Sequence, residues 1–227
     1  NMLPSLCEAY TDLIWDVFLM DGTTRMSIDG KLLYHYCARS CLSEYAVVPE
    51  ASCVKMPNEI PDDVAALIGC AVTTGVGSAL NTVQISKDDT VAVLGAGGVG
   101  LSTIMGAAYA GARQIISIDI VPEKEIVARN VGATDFFLSG QDTIEQIKSI
   151  TNNRGVDYAF DCIGIKTTME QILPSVRPGM LGHNTGGMAV IVGVPQTNVA
   201  IDARDLVVTE KKYIGSIGSS CRHDRDF

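Results

Sequence analysis

The sequence predicts an α/β protein built on a doubly wound parallel sheet, with a shorter β-rich portion ahead of it. Two observations carry that prediction. From Val91 onward, short apolar runs alternate with longer amphipathic ones, the pattern of strand, helix, strand with short connections. The apolar runs are also near-continuous Val, Ile, Ala and Phe instead of strict alternations, as strands need when both faces are covered.

The strand candidates are Val91–Gly95, Gln114–Asp119, Thr134–Leu138, Val156–Asp161, Ala189–Val194 and Lys212–Ile217. Helices are expected at about 99–111, 122–131, 141–152 and 166–177, with Pro122 in a first turn and Gly132 as a stop signal. Only a brief segment separates the last two strands, so the alternation weakens there. Residues 1–65 hold β-like pieces such as Ser43–Val48, turn signals at Asp21-Gly22 and Asp29-Gly30, and no long helix. An Ala-rich helical pattern, Pro61–Leu80, bridges the two parts.

With 227 residues, 47% of them hydrophobic and 19% charged, the chain can bury a sizeable core. A net charge of -9 argues against a nucleic-acid partner, which usually meets a basic face. No apolar run approaches the roughly 20 residues of a membrane span, and no basic-then-apolar leader pattern is read within the chain. Seven cysteines at 7, 37, 41, 53, 70, 162 and 221 are odd in number and scattered, which suits reduced thiols in a cytoplasmic protein. Asn1 and Phe227 both read as cut ends.

Gly95-Ala96-Gly97-Gly98-Val99-Gly100 follows the strand run Val91–Leu94 and opens a small-residue helix. That is the context in which three spaced glycines bind a dinucleotide. Gly95 permits the tight turn, Gly97 admits the pyrophosphate, and Gly100 lets helix and strand pack closely. The free N–H groups and the positive helix end then meet the phosphates. The fingerprint also needs an acid ending the next strand, about 20 residues on, and Asp119 stands there. Its carboxylate accepts from the adenosine ribose hydroxyls and repels a 2′-phosphate, which favours NAD over NADP. Spacing alone also admits a methyltransferase that uses S-adenosylmethionine.

Several segments resemble the medium-chain, zinc-dependent alcohol dehydrogenases. They are Leu67–Gly77, Val93–Ser102, Ile115–Asp119, Val131–Thr134, Gly155–Asp157, Phe160–Gly164 and Val190–Pro195, with Ser43–Val48 earlier. The resemblance implies a Rossmann coenzyme domain over 72–214 and a remnant of a β-rich, GroES-like catalytic domain over 1–71. Residues 215–227 then begin the return to that domain. It counts against the methyltransferase.

By the same resemblance, Cys70 is one ligand of a catalytic zinc and Cys7 one ligand of a structural zinc. Gly98 and Val99 are the positions whose N–H groups meet the pyrophosphate. Thr74 contacts the nicotinamide ribose side, Lys124 reaches the adenosine ribose, and Ile163, Val192 and Val194 line the nicotinamide pocket. The other zinc ligands are not found: His35, His183 and His223 lie in no matching segment. The implied activity is hydride transfer between a primary or secondary alcohol and NAD, with zinc as the metal and a homodimer or homotetramer as the assembly. Other readings are a glutathione- or mycothiol-linked formaldehyde dehydrogenase and a non-catalytic NAD-binding module. A zinc-free, NADPH-dependent quinone reductase is disfavoured by Cys70 and Asp119.

Overall fold

The computed structural model describes residues 17–19, 21–36, 44–46, 48, 50, 53–180 and 185–218. The chain divides into two compact units, the second beginning at Asp62. Each is taken by itself.

In the first unit, β1 (Met26–Ile28) and β2 (Lys31–Leu33) form an antiparallel hairpin. Asp29 and Gly30, at φ of 49° and 74°, make its two-residue turn, the backbone that Asp-Gly favours. Phe18 and Tyr34 meet edge to face with ring centroids 5.6 Å apart. The predicted strand-like piece Ser43–Val48 is not one at its described residues: Glu44 and Tyr45 sit in a bend, and Tyr45 is exposed.

The second unit opens with a helical stretch, Asp62–Thr82. It comprises α1 (Asp62–Leu67), a wide turn at Ile68–Val72, α2 (Thr73–Gly77) and a second wide turn at Ser78–Thr82. Its length and mean hydropathy of 1.5 would suit a membrane span, which the sequence reading did not anticipate. Its second half is nevertheless committed to the protein interior. Thr73, Gly75, Gly77, Ser78 and Ala79 are buried.

The sheet contains β3 (Thr90–Leu94), β4 (Gln114–Asp119), β5 (Asp135–Leu138), β6 (Tyr158–Asp161), β7 (Met188–Ile191) and β8 (Lys212–Gly215). All five pairings are parallel, in the order β5-β4-β3-β6-β7-β8. The helices between them are α3 (Gly98–Tyr109), α4 (Lys124–Asn130), α5 (Thr143–Ser149), α6 (Lys166–Ser175) and α7 (Ala203–Thr209).

The continuous apolar strands have a direct cause. Val91 and Val93 join one core with Ile104, Ile115 and Phe160. Ala92 and Leu94 join the opposite core with Ile116, Ile118, Ile147 and Ile172. Each buried Val, Leu or Ile contributes about 1.5–3 kcal/mol relative to exposure.

α7 is the element missing from the sequence reading. The Asp202 carboxylate caps it, accepting from Arg204 N–H at 2.9 Å and Asp205 N–H at 3.2 Å. Val207, Val208 and Thr209 are β-branched, and Glu210, not a glycine, takes the left-handed stop at φ 50°. Those features hide a short helix from pattern reading.

Candidate dinucleotide site

Strand order reverses between β3 and β6, and the crevice beyond the carboxyl ends of such strands is where open α/β sheets bind ligands. The glycine loop lies there. Gly95 turns at φ +98°, and a Cβ on it would fall 2.5 Å from Ile163 Cγ1. A Cβ on Gly100 would sit 1.7 Å from the Gly95 carbonyl oxygen, so no side chain fits between helix and strand. At Gly97 a Cβ would meet nothing within 4 Å. The protein leaves that space open on the side where a pyrophosphate would approach. α3 starts on Gly97, with no side chain capping it, and its first-turn N–H groups have no partner one turn earlier in the helix.

α2 presses onto the start of α3. A Cβ on Gly75 would lie 2.4 Å from both Ser102 Cβ and the Val99 carbonyl oxygen. Thr74, the neighbour of Gly75, lies in α2.

Asp119 ends β4 with its side chain 6% exposed. Oδ2 accepts from Ala96 N–H at 2.7 Å and Lys124 Nζ at 2.9 Å, and Oδ1 from Val121 N–H at 3.0 Å. Burial alone would raise its pKa. The Lys124 hydrogen bond and the two backbone N–H groups outweigh that, and the carboxyl titrates below its ordinary range. An anion is thus fixed at the edge of the loop, and Lys124 is tied to it. Ile120, next in sequence, is 76% exposed and offers an apolar surface that the sequence reading did not single out.

Ile163 and Val194 meet across a cleft of about 290 Å³, lined also by Gly164, Ile165, Lys166, Gln196 and Thr197. Val192 is not in this wall. It is buried in the core beneath, with its N–H on the Asp161 carbonyl at 2.9 Å. Asp161, also missed, is completely buried at the end of β6. Its signal was legible, since it ends its strand as Asp119 ends β4. Burial holds its carboxyl above the ordinary range, despite hydrogen bonds from Thr168, Gly164 and Ile163.

Cys70 lies exposed in the wide turn Ile68–Val72. A catalytic zinc needs three protein ligands. Among the described residues, no group of three or more His, Cys, Asp or Glu could hold a metal. The described residues therefore fit a dinucleotide and do not by themselves fit a zinc ion. Cys7, Cys37, Cys41, Cys221, His183 and His223 lie outside the described residues. His35 is buried in the first unit.

Comparisons with known proteins identify similar sequences and folds. An S-(hydroxymethyl)glutathione dehydrogenase of Escherichia coli is 39% identical over 216 residues, which cover 93% of this chain and 57% of that protein. The solved structure of an alcohol dehydrogenase zinc-binding domain protein from Burkholderia ambifaria is similar at a TM-score of 0.84 and 29% identity. The match covers 95% of this chain and 58% of that one. The benzyl alcohol dehydrogenase of Acinetobacter calcoaceticus gives 0.82 and 27%, over 98% and 59%. The chain thus spans a little over half the length of these relatives. A family model described as zinc-binding dehydrogenase matches residues 98–226, more than half of the chain. The chain belongs to the zinc-binding dehydrogenase family.

Proposed function

We propose that this chain is the coenzyme-binding portion of a zinc-dependent alcohol dehydrogenase that passes hydride between an alcohol and NAD. The observation that supports it best is the buried Asp119 carboxylate bonded to Ala96 N–H inside the glycine loop. In this reading the first-turn N–H groups of Gly98, Val99 and Gly100 take the pyrophosphate. Asp119 accepts from the adenosine ribose hydroxyls and repels a 2′-phosphate, with Lys124 beside it. Ile163 and Val194 give the nicotinamide side an apolar wall that excludes water, and Val192 supports that wall from below. Thr74 approaches the nicotinamide ribose. Bound NAD supplies the hydride acceptor, and these side chains orient it.

Cys70 is assigned one thiolate of a catalytic zinc in the whole enzyme, and Cys7 one thiolate of a structural zinc. Residues 1–71 are assigned to the catalytic domain, 72–214 to the coenzyme domain, and 215–227 to the return. A homodimer or homotetramer would use the outer strand β8 and the exposed Val207 and Val208 of α7. The assigned location is cytoplasmic.

A second reading has its own support: the E. coli relative is an S-(hydroxymethyl)glutathione dehydrogenase. The 227-residue portion alone is expected to be inactive, so the two are separated by incubating the whole enzyme that contains it with NAD and either simple alcohols or S-(hydroxymethyl)glutathione, and following NADH. Faster turnover of simple alcohols supports the first reading, and faster turnover of the glutathione adduct the second. NAD binding without turnover of any alcohol points to a binding module, and no NAD binding overturns all three.

A further inference from the structure

Asp161 does more at the switch point than end a strand. Its side chain is the hub of the β6–α6 turn: Oδ2 accepts from Gly164 N–H at 2.9 Å, and Oδ1 from Thr168 Oγ1 at 2.6 Å and Ile163 N–H at 3.3 Å. Its partners are two backbone N–H groups and a hydroxyl, with no cation among them. The Asp161 main chain is tied equally well. Its carbonyl accepts from Val192 and Gly193 N–H groups at 2.9 Å, and the next residue, Cys162, donates to the Leu94 carbonyl at 2.9 Å. Asp161 and its neighbour Cys162 thus join the carboxyl ends of β3, β6 and β7.

The turn that it holds has no slack. Gly164 stands at φ +86°, and a Cβ there would lie 2.6 Å from the Val194 carbonyl oxygen. A Cβ on Gly193 would lie 2.3 Å from Gly164 N. The β6 and β7 loops therefore cross in direct backbone contact, and a shift of the first displaces the second. Ile163, whose side chain abuts Gly95, and Val194 ride on these two loops.

The direction of the cofactor follows from Asp119. It stands at the end of β4, so it draws the adenosine half to that side of the glycine loop. The other half must then extend over β6 and β7. We propose that Asp161 is a positioning residue for the nicotinamide half of the dinucleotide, setting the Ile163 and Val194 wall through its hold on the crossing loops. The inference rests on the NAD reading above. Asp161 does not touch the cofactor; it acts through Ile163 N–H, Gly164 N–H and Thr168.

The test compares two ligands on the 227-residue chain by calorimetric titration: NAD, and ADP-ribose, which lacks the nicotinamide ring. Asp161→Asn places an amide donor against one of the existing donors. It should weaken NAD roughly five- to tenfold, the scale of one ordinary hydrogen bond, with ADP-ribose affinity kept within about twofold. Thr168→Val keeps both backbone bonds and should shift the same ratio in the same direction by less. It carries the test alone if Asp161→Asn does not fold. Equal weakening of both ligands marks a purely structural role and overturns the inference, as does no change in either. A wild-type chain that binds neither ligand removes the NAD reading itself, and the inference with it.

Discussion

Asp119 and Ala96 are 23 positions apart in sequence, yet the carboxylate ending β4 accepts the Ala96 N–H at 2.7 Å inside the glycine loop. The acid is therefore part of the loop's own hydrogen bonding as well as a candidate ribose ligand. Removing it should affect both stability and cofactor choice.

Asp119→Ala leaves Ala96 and Val121 N–H groups without their acceptor, which costs about 1–3 kcal/mol each when such groups are buried. Thermal unfolding should show a lower Tm. In binding, the variant should lose NAD affinity and gain NADP affinity as repulsion of the 2′-phosphate is relieved. The ratio should narrow by about tenfold, the effect of roughly 1.4 kcal/mol. An unchanged ratio with a lowered Tm would make Asp119 a structural cap only.

Gly97 and Gly100 should separate binding from folding. Gly97→Val adds a side chain where nothing lies within 4 Å, at an extended φ of -90° that valine adopts readily. It should leave Tm nearly unchanged and abolish NAD binding. Gly100→Ala drives a methyl to 1.7 Å from the Gly95 carbonyl oxygen, and should fail to fold or melt far below wild type. Retained NAD binding by Gly97→Val would refute the placement of the pyrophosphate.

Acid stability has a definite sign. Asp157 accepts from Thr90 N–H and Oγ1 at 2.8 Å and pairs with Arg177 Nε, both side chains being mostly buried. Burial opposes its ionisation, but the Arg177 and Thr90 hydrogen bonds outweigh burial and depress its pKa. A depressed carboxyl stabilises the fold above its unfolded pKa and loses that contribution as pH falls through the folded value. Asp119 acts in the same sense. Asp161 is raised, so its contribution runs oppositely, declining as pH climbs from the ordinary carboxylate range to its folded value. Asp157→Asn should reduce Tm at neutral pH, and the gap to wild type should narrow as pH falls below the ordinary carboxylate range. A gap that is constant with pH would contradict the assigned role of the ion pair.

Thiol labelling should follow exposure. Cys53 and Cys70 are exposed, whereas burial pushes the Cys162 thiol up to about 12. Because the thiolate is the nucleophile, peptide mapping after alkylation at pH 8 should find Cys53 and Cys70 modified well before Cys162. Early labelling of Cys162 in the folded protein would contradict the packing around Thr103, whose Oγ1 lies 3.6 Å from the thiol.

Much of the second unit was legible because its strands are buried on both faces. Gln114–Asp119 has the bounds that its apolar run suggested, and the glycine loop begins where Leu94 ends β3. The wide turns at Ile68–Val72 and Ser78–Thr82 were not legible, because they follow from packing against α3 and not from local propensity. Val192 packs into the core, as the continuous apolar run around it also allows. Asp161 ends its strand as Asp119 does, a signal legible in the sequence, but the convergence of strand ends around it exists only once the sheet order is known.

Titrating the wild-type chain with NAD and then NADP under identical conditions tests the central claim most directly. Asp119 beside the glycine loop predicts saturable NAD binding, at least tenfold tighter than NADP. Equal affinities, tighter NADP, or no binding of either would contradict it.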